Sequence, residues 1–272
     1  MGVINVTPDS FSDGGRFAGV EAAVAHGHAL VAAGADLLDV GGESTRPGAA
    51  RVSADEEMAR VVPVITRLAR ELVVPVSVDT VKAEVARAAV EAGALLVNDV
   101  SGGLADPAMG AAIDALGVTY VVGFLPVVTS LAQVHAEARP PPRWTEVADG
   151  LAARLRVLGP AARARAWVDP GLGFAPGADP AANLALLRHA GDLGRAVGCP
   201  VVVGPSRKRF LRVLLERAGP IAAPGGRGPI DEAALDAATV GACLLASGAG
   251  AAVLRVHNVA LLHAALTVYT GG

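Results

Sequence analysis

Cysteine is nearly absent: the 272 residues hold two. Cys199 and Cys243 lie far apart, and neither has another Cys or a His at ligand spacing. That excludes a disulfide framework and a zinc site, and it points to a reducing compartment, the cytoplasm. Aromatic residues are only 3% of the chain, so the core must be aliphatic and closely interdigitated. Clustered basic residues are also lacking, and the formal net charge is -3. This argues against a nucleic-acid surface, which needs grouped Lys and Arg to neutralise phosphates. No apolar run is long and charge-free enough to span a bilayer, and Met1 to Asn5 carry no basic leader or cleavage pattern. Neither membrane insertion nor export is expected. Small molecules remain as the expected partners.

What is abundant is Ala, Val and Leu, within a hydrophobic fraction of 52%. Such a composition suits parallel strands buried on both faces. Short apolar runs recur along the chain, and most stop at a residue able to bind something. Val3-Ile4 leads to Asn5, Leu37-Leu38 to Asp39, Val76-Ser77-Val78 to Asp79, and Leu95-Leu96-Val97 to Asn98. Trp167-Val168 leads to Asp169, Val201-Val202-Val203 to Ser206-Arg207-Lys208, and Val253-Leu254 to Arg255 and His257. With Thr119 to Gly123 as the fifth, these make eight strands. Helical patterns fill the intervals: Val20 to Ala33, Ala54 to Arg70, Val81 to Ala92, Pro107 to Leu116, Trp144 to Leu158, Ala182 to Val197, Lys208 to Ala218, Ala233 to Ser247 and Asn258 to Val268. The alternation predicts an α/β fold, a (β/α)8 TIM barrel with right-handed crossovers, in a single domain covering residues 1–272. A Rossmann-type open sheet is the alternative, but no glycine fingerprint follows the first strand.

Ser53 or Asp55 is expected to open the second helix, Pro107 to occupy a first-turn position after Asp106, and Gly93 to close the third. Three segments rich in Gly, Pro, Ser or Arg interrupt the pattern: Thr7 to Gly19, Gly41 to Val52, and Ala218 to Asp231. The first two follow strands directly and are expected over the barrel mouth, where loops close on substrate. The third reads as a surface excursion. Three prolines between Ala138 and Arg143 stiffen the approach to the fifth helix.

Ligands of such barrels sit at the carboxyl ends of the strands. There, Asp79, Asn98 and Asp169 offer acceptors and one amide, and Lys208 adds a cation, a set suited to a planar heterocycle rich in N–H donors. A lone Asp after a strand serves equally well as a helix cap; it is the set that suggests a pocket. A second group suits an anion: Asn5, Thr45, Arg46, Arg255 and His257, with Gly41 and Gly42 permitting close backbone approach. His26, His28, His135, His189 and His263 fall on helical or loop stretches and carry no such reading.

Several stretches together resemble one family. Asn5-Val6-Thr7-Pro8-Asp9-Ser10-Phe11-Ser12-Asp13-Gly14-Gly15 and Gly41-Gly42-Glu43-Ser44-Thr45-Arg46-Pro47-Gly48-Ala49 look like the two substrate-covering loops of dihydropteroate synthase. Ser77-Val78-Asp79-Thr80, Asn98-Asp99-Val100-Ser101-Gly102, Asp169-Pro170-Gly171-Leu172-Gly173-Phe174, Ser206-Arg207-Lys208 and Arg255-Val256-His257 match in the same order. The resemblance implies a transferase of folate synthesis that joins 6-hydroxymethyl-7,8-dihydropterin pyrophosphate to p-aminobenzoate. By the same resemblance Asp79, Asn98, Asp169 and Lys208 hold the pterin, while Asn5, Thr45, Arg46, Arg255 and His257 face the diphosphate. Asn5 is the implied magnesium contact, and Phe11, Pro47, Ser206 and Lys208 flank p-aminobenzoate. Asp13 would steady a cationic methylene, with Arg46 and Lys208 as the other implied catalytic residues. The family also implies a homodimer, for which Ala233 to Ala252 could serve, and a sulfonamide target.

The chain departs from the family pattern in four places. Val122-Gly123-Phe124-Leu125-Pro126 replaces a Met-His-Met type ending of the fifth strand, removing polar and thioether contacts from one wall of the pterin pocket. Ala175-Pro176-Gly177 stands where Gly-Lys is usual. Asn258 replaces an acid that could orient His257. The first strand starts the chain without the segment that commonly closes the barrel floor, so lower stability with an unaltered mouth is expected. Three other readings compete. A methyltetrahydrofolate:corrinoid methyltransferase shares the acid, amide, acid set but has no use for the two diphosphate loops. A pterin-binding paralogue without catalysis would fit the altered fifth strand. A generic phosphate-binding barrel would need few carboxylates around its anion.

Overall fold

Period-two alternation decides the architecture. In the computed structural model, which describes residues 1–7, 15–44, 51–125, 140–174, 178–218 and 230–271, with 15–18 by backbone alone, every predicted apolar run is a strand. The strands are β1 (Gly2–Asn5), β2 (Leu38–Gly41), β3 (Val76–Asp79), β4 (Leu96–Asp99), β5 (Thr119–Gly123), β6 (Ala166–Asp169), β7 (Val202–Val203) and β8 (Val253–Leu254). The helices between them are α1 (Gly15–Ala32), α2 (Ala54–Glu71), α3 (Ala83–Glu91), α4 (Met109–Leu116), α5 (Trp144–Val157), α6 (Pro160–Ala164), α7 (Pro180–Arg188), α8 (Ala190–Val197), α9 (Arg209–Arg217), α10 (Glu232–Gly248) and α11 (Val259–Thr270).

Strands β1 to β6 form one parallel sheet in chain order, and β7 pairs parallel with β8. Single parallel bridges join the two pieces at both sides, Val168 with Val201 and Gly2 with Val256. The Val168 N–H donates to Pro200 O at 2.9 Å, and the Val3 N–H to Val256 O at 3.0 Å. The ring of strands is therefore closed, and the barrel predicted from the alternation is the fold.

Two apolar clusters divide along the pleat. The larger packs the outward strand residues, among them Ile4, Leu38, Val78, Val97, Val122 and Val168, against the helices. The smaller holds Met1, Leu37, Leu96, Val121 and Val202, with Trp167 and Val253 against them, and fills the lower interior. Side chains two apart share a face of a strand. Asp39 therefore stands one layer above Leu37, Asn98 above Leu96, Asp169 above Trp167 and Arg255 above Val253. An aliphatic floor carries a polar ring at the carboxyl end.

Ser53, not Asp55, caps α2, its hydroxyl accepting the Glu56 N–H at 3.2 Å. Gly93 follows the C-cap of α3 with φ 111. The turn expected to be helical from Pro107 starts at Met109, because Asp106 is spent on two ends: one oxygen accepts the Ala108 N–H at 2.9 Å and the other the Ala83 N–H at 2.7 Å. The single helix expected over Ala182 to Val197 is two, α7 and α8, meeting at His189. The Gly191 N–H is taken by Ala249 O at 2.8 Å, across from the end of α10, and so leaves the helical ladder. Among the described residues, no helix is long and apolar enough to cross a membrane.

Candidate active site

The polar ring is one connected cluster. Arg255 reaches from the end of β8 across the barrel, its Nε donating to Asp39 Oδ2 at 2.6 Å and its Nη2 to Asp79 Oδ2 at 2.7 Å. Asn98 donates its Nδ2 to the same Asp39 oxygen at 3.0 Å. The other oxygen of Asp39, fully buried, has no partner among the described residues. On the far wall, Asp169 accepts the Gly171 N–H at 2.7 Å. Lys208 donates to Leu172 O and rests its ammonium 4.9 Å from the centre of the Phe174 ring. Asn5 ends β1 exposed at the mouth.

Three carboxylates here face two cations, and burial raises the cost of every charge. The Asp79 carboxyl is pushed up to about 7, chiefly by burial, with Arg255 opposing and Asp39 adding to the rise. Asp169 is raised by burial against the pull of Lys208 and of the Gly171 N–H. Burial brings the Lys208 ammonium down to about 8, with Asp169 opposing. Burial also works against the Arg255 charge, but Asp39 and Asp79 outweigh it and hold its proton more firmly than usual. Three carboxylates against two cations leave the cluster acidic.

The loops after β7 and β8 are tied together. Ser206 Oγ lies 2.8 Å from His257 Nδ1 and accepts the His257 backbone N–H at 3.2 Å. Asn258 does not face the imidazole in place of the expected acid. Its oxygen caps α11 through the Leu261 N–H at 3.1 Å, and its Nδ2 donates to Asp236 on α10 at 3.0 Å.

Other groups hold the rim. Glu43 accepts the Val52 N–H at 3.2 Å with one oxygen and Lys82 Nζ at 2.5 Å with the other, so one side chain joins the start and end of the segment after β2 to the loop after β3. Lys82 also donates to Glu57, whose side chain is 1% exposed. Asp99 accepts from the Ser101 N–H and hydroxyl, the Gly103 N–H and the Tyr120 hydroxyl, which commits it to shaping its loop. At the altered end of β5, Arg154 from α5 donates to Gly123 O and Leu125 O and stacks over Phe124 at 5.0 Å. A Cβ on Gly123 would lie 2.4 Å from Val100 O, and one on Gly171, at φ 73, would lie 2.0 Å from Phe124 O. At Gly123 and Gly171 this wall is thus backbone packed too closely for a side chain.

Of the residues singled out from sequence, Asp79, Asn98, Asp169, Lys208 and Arg255 gather in one cluster at the carboxyl ends of the strands. Ser206 and His257, assigned by resemblance to different substrates, are hydrogen-bonded neighbours. Phe11, Asp13, Thr45, Arg46 and Pro47 lie outside the described residues, as do Ala175 to Gly177. Asp39 was read as a strand end but not as a site residue. Its place, two residues after inward Leu37 and in register with Val3 and Ser77, was the available signal.

The chain is similar to known proteins over nearly its whole length. A family model described as pterin binding enzyme matches residues 1–257. The dihydropteroate synthase of Mycobacterium leprae is 42% identical over 266 residues, covering 95% of this chain and 88% of that one. The structure of Xanthomonas albilineans dihydropteroate synthase with 4-aminobenzoic acid superposes with a TM-score of 0.82 at 43% identity, covering 100% of this chain and 91% of the other. The same organism's enzyme in complex with 7,8-dihydropteroate superposes with a TM-score of 0.79 at 41% identity, covering 100% and 92%.

Proposed function

Since the chain belongs to the pterin-binding enzyme family, we infer that its barrel mouth joins a dihydropterin carrying a diphosphate to p-aminobenzoate, forming 7,8-dihydropteroate in folate synthesis. This is dihydropteroate synthase chemistry, a transferase reaction. The observation that carries it is Arg255 bound to Asp79 and Asp39. A residue suited to an anion and residues suited to a heterocycle share one hollow, so a single ligand with both parts fits. The testing experiment supplies 6-hydroxymethyl-7,8-dihydropterin pyrophosphate, p-aminobenzoate and magnesium and follows dihydropteroate. Its absence would sink the reading.

In this scheme Asp79, Asn98 and Asp169 receive the N–H groups of the pterin, and Lys208 supplies a donor from above. Arg255 and His257, with Thr45 and Arg46 from the segment after β2, meet the diphosphate. The carbon–oxygen bond between the pterin methylene and the diphosphate breaks, and the electron pair leaves with the diphosphate. Asp13 steadies the methylene cation by its charge. The p-aminobenzoate nitrogen, guided by Phe11, Pro47, Ser206 and Lys208, then attacks that carbon and gives up a proton. Fixed donors around the leaving group, in a site that excludes water, favour this order.

Among the described residues, no group of three or more His, Cys, Asp or Glu could hold a metal. Among the described residues, the Asn5 amide oxygen at the end of β1 is the donor the resemblance sets beside the diphosphate. This donor set fits magnesium taken up with the diphosphate, since that ion keeps several waters and binds through substrate phosphates. Held there, it would neutralise charge on the leaving diphosphate. We propose further that the 272 residues act as one domain in the cytoplasm and pair as a homodimer.

Two expectations follow from these roles. Asp79 must be ionised for both its oxygens to accept N–H groups, and burial pushes its carboxyl up to about 7. Pterin affinity should therefore weaken as pH falls below about 7, approaching tenfold per unit. Calorimetry between pH 5.5 and 8.5 gives the profile, and a flat line would contradict the role. Asp13→Asn should slow turnover by roughly tenfold or more yet leave pterin affinity almost intact, because its charge matters only after the bond breaks. Equal loss of ground-state binding would contradict that.

A further inference from the structure

We infer that Asp236, on the outer helix α10, is a positioning residue for p-aminobenzoate, acting by locking the loops after β7 and β8 together. The inference rests on the functional reading above but concerns a side chain that faces neither substrate.

Arg207 lies between Ser206 and Lys208 and is the only non-glycine among the described residues with positive φ, 57. That left-handed conformation is disfavoured for a side chain with a Cβ and persists only where surroundings enforce it. Here α10 enforces it. Asp236 receives a two-pronged grip, from Arg207 Nε at 2.7 Å and Nη2 at 3.0 Å. Thr239, one turn on, accepts the Arg207 backbone N–H at 3.1 Å and gives its own proton to Leu235 O at 2.8 Å. Glu232 adds a contact to Arg207 at 2.9 Å from a more exposed position. With Arg207 turned outward, Ser206 faces the mouth and meets His257.

The same carboxylate holds the other loop. Asp236 is 6% exposed, and its second oxygen accepts from Asn258 Nδ2, next to His257. An acid at position 258 would repel Asp236, whereas an amide can donate to it. One buried side chain therefore sets both ends of the Ser206–His257 contact. The pterin carboxylates Asp79 and Asp169 lie on other strands, and Lys208 keeps its own hold on Leu172 O and the Phe174 ring, so the pterin side of the site does not depend on it.

The test is steady-state kinetics of the full chain with dihydropterin pyrophosphate, p-aminobenzoate and magnesium. In Asp236→Asn, which has a single acceptor oxygen and cannot take the two-pronged grip, KM for p-aminobenzoate should rise tenfold or more while kcat falls less than threefold. Pterin affinity by calorimetry should stay within threefold. Arg207→Lys should match it, and the double variant should be no worse than either single one, because both break the same link. An unchanged KM, a parallel loss of pterin affinity, or additive effects would overturn the inference. Should Asp236→Asn fail to fold, Thr239→Val removes the acceptor for the Arg207 N–H, together with the bond to Leu235 O within α10, and leaves the Asp236 grip in place. A threefold rise in the same KM is then expected, and no rise refutes the role. A wild-type chain that forms no dihydropteroate overturns the functional reading and this inference with it.

Discussion

Asp79→Asn should lower pterin affinity at least about 30-fold, since two buried N–H groups of the ligand lose an ionised acceptor at roughly 1–3 kcal/mol each. The same substitution should leave the protein as stable as before, or more so. Burial raises the Asp79 carboxyl from 3.8 to about 7 in the folded chain. A carboxyl whose folded value lies above its unfolded value favours the native state only while protonated. Its charge therefore weakens folding progressively as pH rises from about 4 to about 7. Thermal denaturation at pH 5 and pH 8 should show the variant gaining on wild type at the higher pH, while calorimetry shows binding lost. A variant less stable at pH 8 but binding pterin normally would reverse both halves. Sites held against stability in this way are expected where function requires buried charge.

Lys82→Met should have the largest effect on folding. Lys82 is 22% exposed and bonds Glu43 and Glu57, and the Glu57 side chain is 1% exposed. Burial disfavours the lysine charge, but the two glutamates more than compensate and hold its proton. One Glu57 oxygen already lacks a partner among the described residues. Without Lys82 its carboxylate is buried with no counter-charge, which costs about 3–5 kcal/mol. In a chain of this size that lowers Tm by roughly 10 °C. Adding Glu57→Gln should recover much of the loss, because the stranded charge is then gone. A Tm shift of a degree or two in the single variant would show that the pair contributes little.

Much of this was readable beforehand, because the signals are local. The strands were visible as short apolar runs ending in Asp39, Asp79, Asn98 and Asp169, and the helices as the intervals. Ser53 and Gly93 marked helix ends through their own chemistry. Features that rest on contacts distant in sequence were not readable. The break between α7 and α8 depends on Ala249, nearly sixty positions from Gly191. The closure of the ring rests on two single bridges, at Val201 and Val256. The site divides the same way. Asp79, Asn98, Asp169, Lys208 and Arg255 stand at strand ends, where position implies use. Asp236 sits inside the helix expected over Ala233 to Ser247, away from any strand end, and only its partners reveal it. Asp39 and Asp79 stand at consecutive strand ends, but only the reach of Arg255 unites them.

That reach has a thermodynamic consequence. A long, flexible arginine gives up close to 2 kcal/mol of rotamer freedom when it is fixed. Arg255 has surrendered this during folding, clasped by two aspartates. An arriving anion then meets a guanidinium already aimed, and less disorder remains to be lost at the moment of association.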